Sequence, residues 1–237
     1  MVRIIQLAVL LFALSLSACK TEMPPQEEAP KEEIEITEGS SYLALGDSYT
    51  IGESVATDMR WPVQLQAKLN KEGTEVMSPE IIARTGWTTD ELQSAIDASA
   101  LADTFDLVSL LIGVNNQYRG YDFSRYEKEF VELLDRAIQF AQGDKSKVFV
   151  VSIPDYGATP FGQSANPQKI GEELDRYNAY AQSICEAREI PFFDITPISR
   201  EAVNDLELVA SDNLHPSGKM YGQWVDLFWE DVKGLLE

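Results

Sequence analysis

Apolar residues fall along this chain in short unbroken runs, and between the runs they recur at helical spacing. Tyr42-Leu43-Ala44-Leu45-Gly46 is such a run, closed by glycine, and the periodicity of Trp61 to Asn70 with Val63, Leu65 and Leu69 predicts a helix after it. A second strand is expected near Glu80 to Ala83 and a helix from Asp90 to Ala98. Asp106 to Ile112 is the clearest buried strand, ending again at a glycine, Gly113. A long helix fits Phe123 to Gln142, then Val148 to Ile153 reads as a strand stopped by Pro154. A helix from Gln168 to Arg188, a strand at Phe192-Phe193-Asp194 and a last helix from about Ser217 to Leu236 complete the series. Apolar strands alternating with amphipathic helices predict an α/β protein. Right-handed crossovers return over a parallel sheet and cover both its faces, so five strands in a three-layer α/β/α sandwich are expected. Ligands in such sheets bind beyond the carboxyl ends of the strands, which directs attention to the residues just after each one.

The 237 residues allow one such domain, set here at residues 40–237, once the N-terminal segments are removed. Arg3 precedes a largely apolar stretch, Ile4 to Leu16, that is too short to span a bilayer and has no basic stop-transfer cluster after it. It reads as a secretory signal ending at Leu16-Ser17-Ala18-Cys19, which resembles the bacterial lipobox. Residues 1–19 are then a lipoprotein signal peptide and Cys19 the lipidated residue. That places the protein outside the cytoplasm, anchored to a membrane by acyl chains that each contribute about 0.8 kcal/mol per buried CH₂. Residues 20–39, KTEMPPQEEAPKEEIEITEG, are rich in Glu and Pro and read as an acidic tether. With Cys19 lipidated, Cys185 has no partner in the chain and reads as a small apolar residue inside a helix. The net charge of −20 and the lack of a basic cluster exclude a nucleic-acid partner and favour neutral or zwitterionic substrates over strongly anionic ones.

Chemistry enters after the first strand, at Gly46-Asp47-Ser48-Tyr49. A strand-to-helix turn there would expose the Ser48 hydroxyl as a nucleophile. Asp47 and Ser48 would serve equally as a helix cap, and the tetrapeptide alone does not separate the two readings. His215 is the only histidine, which argues against a conventional zinc site with its two or three imidazoles. If a Ser-His mechanism operates, His215 is the base. Asp212, three residues earlier, could orient its imidazole within one tight turn.

Four separated blocks, Gly46-Asp47-Ser48, Arg84-Thr85-Gly86-Trp87, Gly113-Val114-Asn115-Asn116 and Asp212-Asn213-Leu214-His215, resemble in order those of the SGNH (GDSL) hydrolase family. The resemblance covers the body from about Ser41 to the end and implies the flavodoxin-like architecture of that family. It also implies a catalytic triad of Ser48, His215 and Asp212, and an oxyanion hole made by the backbone N–H of Ser48 and of Gly86 with the side-chain amide of Asn115. Such a site needs no cofactor or metal. Two positions depart from the family pattern: Asn116 stands where the block usually has Asp, which should alter local hydrogen bonding, and Tyr49 stands where Leu is usual, which alters packing beside the nucleophile.

Pro154 to Pro167 is expected to be a long loop on the catalytic edge, and Trp87, Tyr118, Tyr156 and Phe161 are expected to line an acyl or sugar pocket. The expected activity is hydrolysis of a small-molecule, glycan or lipid ester. The alternatives are an acyltransferase using the same site, which products formed with an acceptor present would reveal, or a catalytically silent ligand-binding lipoprotein, against which the intact catalytic set argues.

Overall fold

The computed structural model describes residues 38–102 and 104–237. The signal peptide, Cys19 and residues 20–37 of the tether lie outside the described residues.

Five strands form one wholly parallel sheet: β1 Tyr42–Asp47, β2 Glu80–Arg84, β3 Leu107–Leu111, β4 Val148–Val151 and β5 Phe192–Phe193, in the order β2-β1-β3-β4-β5. Every residue of β1, β3 and β4 is buried, as strands covered on both faces must be. The five predicted strands are all present and differ from expectation only at their ends. The helices of the described residues are α1 Ser48–Ile51, α2 Trp61–Lys71, α3 Thr89–Ala98, α4 Val114–Tyr118, α5 Phe123–Phe140, α6 Pro160–Gln163, α7 Pro167–Arg188, α8 Thr196–Arg200 and α9 Gly218–Leu236.

Helix starts follow from local chemistry. Thr88 and Glu91 close a capping box on α3, Asp122 caps α5 through Ser124 N–H, Asn166 and Pro167 open α7, and Ser217 caps α9. The α2 and α9 helices pack together on one face, where Trp61, Phe149 and Phe228 meet edge-on or tilted at centroid distances of 6.0–6.3 Å. Helix α5 packs against α3 and α7 on the other face, around Tyr126, Phe130 and Tyr177. Cys185 is fully buried in α7, and burial pushes its thiol up to about 12, so it stays an unreactive apolar residue at neutral pH.

The segment expected as a long loop, 154–167, is more ordered than a loop. It holds a 3₁₀ turn at Tyr156–Ala158 and the short helix α6, each capped by a side chain, Asp155 and Thr159 respectively. Asp155 is buried and accepts from Gly157 N–H and from Arg200 Nε, which fastens the segment to α8.

The sheet order reverses at β1, and this switch point is where strand ends leave a crevice. Register puts three turns at one height there. Asp47 pairs with Arg84 and Gly46 with Leu111, so Ser48, the Arg84–Trp87 turn and Gly113 all lie just past the sheet. Gly113 has φ 128, and a Cβ on it would come 2.5 Å from Tyr126 and 2.9 Å from Ile153. Only glycine passes the chain from β3 into α4 so close to the core. Gly113→Ala should therefore lower stability by about 2 kcal/mol or more, read as a fall in the urea midpoint at unchanged m-value.

Candidate active site

Ser48 is the first residue of α1 and is nearly buried, at 4% exposure. Asp47 caps the turn by accepting from Tyr49 N–H (3.0 Å), which leaves the Ser48 N–H in the first turn, where no intrahelical carbonyl reaches it. Asp47 is thus the cap, and Ser48 stands in the turn that Asp47 holds, buried where the sequence led to an exposed hydroxyl.

His215 sits on the loop between α8 and α9, and the antiparallel bridge from Val209 to Pro216 closes this loop. Its Nδ1 lies 2.6 Å from Asp212 Oδ2. Asp212 also accepts from Ser54 Oγ (2.7 Å) and from the backbone N–H groups of Leu214 and His215 (2.9 Å each). Partial burial opposes its ionisation, but the donors from Ser54, His215 and the backbone outweigh that, and its carboxyl is held well below the ordinary carboxylate range. An ionised Asp212 can only accept, so the facing Nδ1 carries a proton, and in the neutral imidazole the lone pair is on Nε2.

Two contacts fasten this loop to the Ser48 segment. Ser54, at φ 65, reaches Asp212 across the chain, and the Tyr49 ring packs edge-on against His215 at 5.7 Å. Tyr49 thus buttresses the imidazole beside the serine. No hydrogen bond closes between Ser48 Oγ and His215 Nε2 among the described residues, a looseness common where no substrate is bound.

Gly86, at φ 89, is the turn residue of Arg84–Trp87, with Trp87 N–H donating to Arg84 O (3.2 Å). Helix α4 ties this turn down twice. Asn115 Nδ2 donates to Trp87 O (3.0 Å), and Arg119 donates to Gly86 O (2.5 Å) while its own N–H donates to Asn115 O (3.0 Å). Glu91 holds the Arg119 guanidinium through both carboxylate oxygens. The second proton of the Asn115 amide is left over. Thr85 Oγ1 donates to Glu53, joining the same turn to the segment after α1.

Asn116 is fully buried: its Oδ1 accepts from Thr89 N–H (3.0 Å) and its Nδ2 donates to Thr89 Oγ1 (2.6 Å). The Thr89 hydroxyl proton goes to Glu129. A carboxylate at 116 would face the bare lone pairs of that hydroxyl, so the amide is the group this network requires.

Of the four aromatic residues expected at a pocket, three meet. Tyr118, Tyr156 and Phe161 have ring centroids 6.1–6.4 Å apart, and Phe161 N–H donates to Asn213 O (3.0 Å) on the histidine loop. Trp87 is not in this cluster; its ring packs partly buried against the core.

Ser54 and Arg119 are absent from the sequence-based set. Nothing in the sequence marks Ser54, which acts across 158 positions. Arg119 lies one helical turn beyond Asn115, the one signal that could have drawn attention to it.

A sequence profile of the GDSL-like lipase/acylhydrolase family matches residues 44–223. No curated protein sequence matches the chain. Among solved structures, TesA superposes with a TM-score of 0.65 at 17% identity, covering 83% of this chain and 100% of its own. Axe2, an acetylxylan esterase from Geobacillus stearothermophilus, solved as a catalytic mutant, gives 0.64 at 17%, with 84% and 96% covered. The psychrotrophic esterase EstA from Pseudoalteromonas sp., inhibited by monoethylphosphonate, gives 0.61 at 18%, with 83% and 98% covered. At these identities the likeness is one of fold.

Asp47 differs from Asp212 in environment. It is fully buried with Oδ2 unpartnered among the described residues, and burial pushes its carboxyl up to about 7 against the opposing bond from Tyr49 N–H. From about pH 4 the unfolded chain releases this proton while the folded chain keeps it to about 7. The folded state then binds more protons, so this group lowers stability as pH rises across that window and no further above it. At about 1.4 kcal/mol per unit the full effect is on the order of 4 kcal/mol. Asp47→Asn keeps the capping oxygen and removes the titration, so its melting temperature relative to wild type should rise between pH 5 and pH 8. A difference that stays flat with pH would show that Asp47 does not take up a proton on folding.

Proposed function

Because the chain belongs to the GDSL-like lipase/acylhydrolase family, we propose that it hydrolyses carboxylic esters through Ser48, His215 and Asp212 by way of an acyl-enzyme. The observation that carries this reading is the 2.6 Å bond from His215 Nδ1 to an ionised Asp212, on a loop fastened to the Ser48 segment by Ser54 and Tyr49. Ser48 Oγ attacks the ester carbonyl as its proton passes to His215 Nε2, and the carbonyl electron pair moves onto oxygen. Asp212 stabilises the imidazolium that forms. The oxyanion is met by the N–H groups of Ser48 and Gly86 and the free amide proton of Asn115, donors already held in place by α4 and Arg119. Collapse breaks the bond to the alcohol, which leaves with the proton from Nε2. Water then attacks the acyl-Ser48 ester by the same route and releases the acid.

A fluorophosphonate probe should label wild type, and p-nitrophenyl acetate should be turned over. Ser48→Ala should abolish labelling and lower kcat/KM about 10⁴-fold or more. Asn115→Ala should lower kcat about 10²- to 10³-fold with labelling slowed. A wild-type protein that neither labels nor turns over any ester would overturn the reading.

We further propose that Cys19 carries the lipid that holds the protein on the outer side of a bacterial membrane. In cells expressing the full chain, radiolabelled palmitate should enter the protein and the protein should sediment with membranes. Cys19→Ser should lose both.

A further inference from the structure

Tyr118 and Tyr156 border, besides the rim shared with Phe161, a cavity of about 560 Å³ between α4, the start of α5 and the first turns of α7. That volume is within the range of small-ligand sites, about 300–1,000 Å³. It adjoins two segments of the candidate site. Tyr118 is on the same short helix as Asn115, and through Phe161 the rim joins the histidine loop at Asn213.

The lining decides what could enter. Tyr118 is 58% exposed, the most exposed aromatic side chain among the described residues. Behind it the Tyr156 hydroxyl donates to Gln117 Oε1 (2.9 Å), and Gln117 Nε2 donates to Glu173 Oε2 (2.7 Å), a chain that fixes one polar wall. One turn further along α7, the Arg176 guanidinium lies 3.7 Å over the Phe123 ring and takes part in no ion pair among the described residues, so its donors are uncommitted. An alkyl chain here would strip water from Glu173 and Arg176 and give no hydrogen bond in return. Lys169 in the same lining is taken up by Glu173 (3.6 Å), so a polyanion would find one unpaired guanidinium here in a chain of net charge −20. A neutral sugar ring suits both features, since its C–H face covers an aromatic ring and its hydroxyls donate to a carboxylate and accept from a guanidinium.

We propose that this groove is the alcohol-side subsite of the enzyme and takes a neutral sugar residue, so that the substrate is an acyl ester of an oligosaccharide. The proposal rests on the ester-hydrolase reading of Ser48 and His215, and two measurements keep the two separable. In the first, unacetylated xylotetraose, cellotetraose and mannotetraose are titrated into Ser48→Ala protein and followed by amide chemical-shift changes, which need no catalysis. Saturable shifts at Tyr118 and Arg176 with at least one sugar are expected, and Arg176→Ala should weaken that binding tenfold or more. In the second, kcat/KM on the acetylated form of each sugar is divided by that on p-nitrophenyl acetate. The ratio should fall at least tenfold in Arg176→Ala and in Glu173→Ala, with circular dichroism reporting that both variants are folded. Turnover of p-nitrophenyl acetate without sugar binding and without a change in the ratio for any of the three sugars would overturn the groove and leave the esterase standing. Glycerophosphocholine causing the shifts instead of the sugars would likewise overturn it, in favour of a lipid headgroup. Sugar binding in a protein that hydrolyses no ester would retain a sugar site and sink the esterase.

Discussion

Parallel strands can be joined only by crossovers, and that constraint organises this molecule. Each strand must run the same way, so each hands its chain to a helix at the same edge of the sheet. With β1 at the reversal of the strand order, the turns after β1, β2 and β3 have no choice but to crowd together. Ser48, Gly86 and Asn115 occupy those three turns. The sheet therefore sets the height of Ser48 and its neighbours before any side chain forms a bond, and side chains are left to settle orientation.

They do so through a small number of bonds that each join two inserted segments. Ser54 links the chain after α1 to Asp212, and Arg119 links the β2 turn to α4 through one guanidinium and one backbone N–H. Two aspartates near the same serine show how far environment separates identical groups. Asp212 gathers four donors and stays charged; Asp47 has one donor in a dry site and holds its proton to about pH 7. The first accepts from the His215 ring, and the second keeps a buried charge off the Ser48 turn below about pH 7.

The strands and long helices were legible because burial leaves a periodic trace, such as the unbroken run of β3 or the spacing in α5. Helices α1, α4, α6 and α8 were not, because a single turn of four or five residues carries no period to read. The same limit turned 154–167 into an expected loop, although capping by Asp155 and Thr159 orders it. At the candidate site, Ser48, Gly86, Asn115, Asp212 and His215 stand in short blocks that can be read from the sequence, and the fold brings the segments that carry them together. Ser54 and Arg119 carry theirs only through partners far away in sequence. The amide at Asn116 makes sense only once Thr89 is seen to spend its proton on Glu129.

The lone imidazole has one more consequence. Because the chain contains a single histidine and its ring meets the edge of Tyr49, the imidazole carbon-bound protons give one pair of resonances, displaced by the ring current of that tyrosine. The centre of the site thus carries its own spectroscopic reporter, readable in the intact protein with no label introduced.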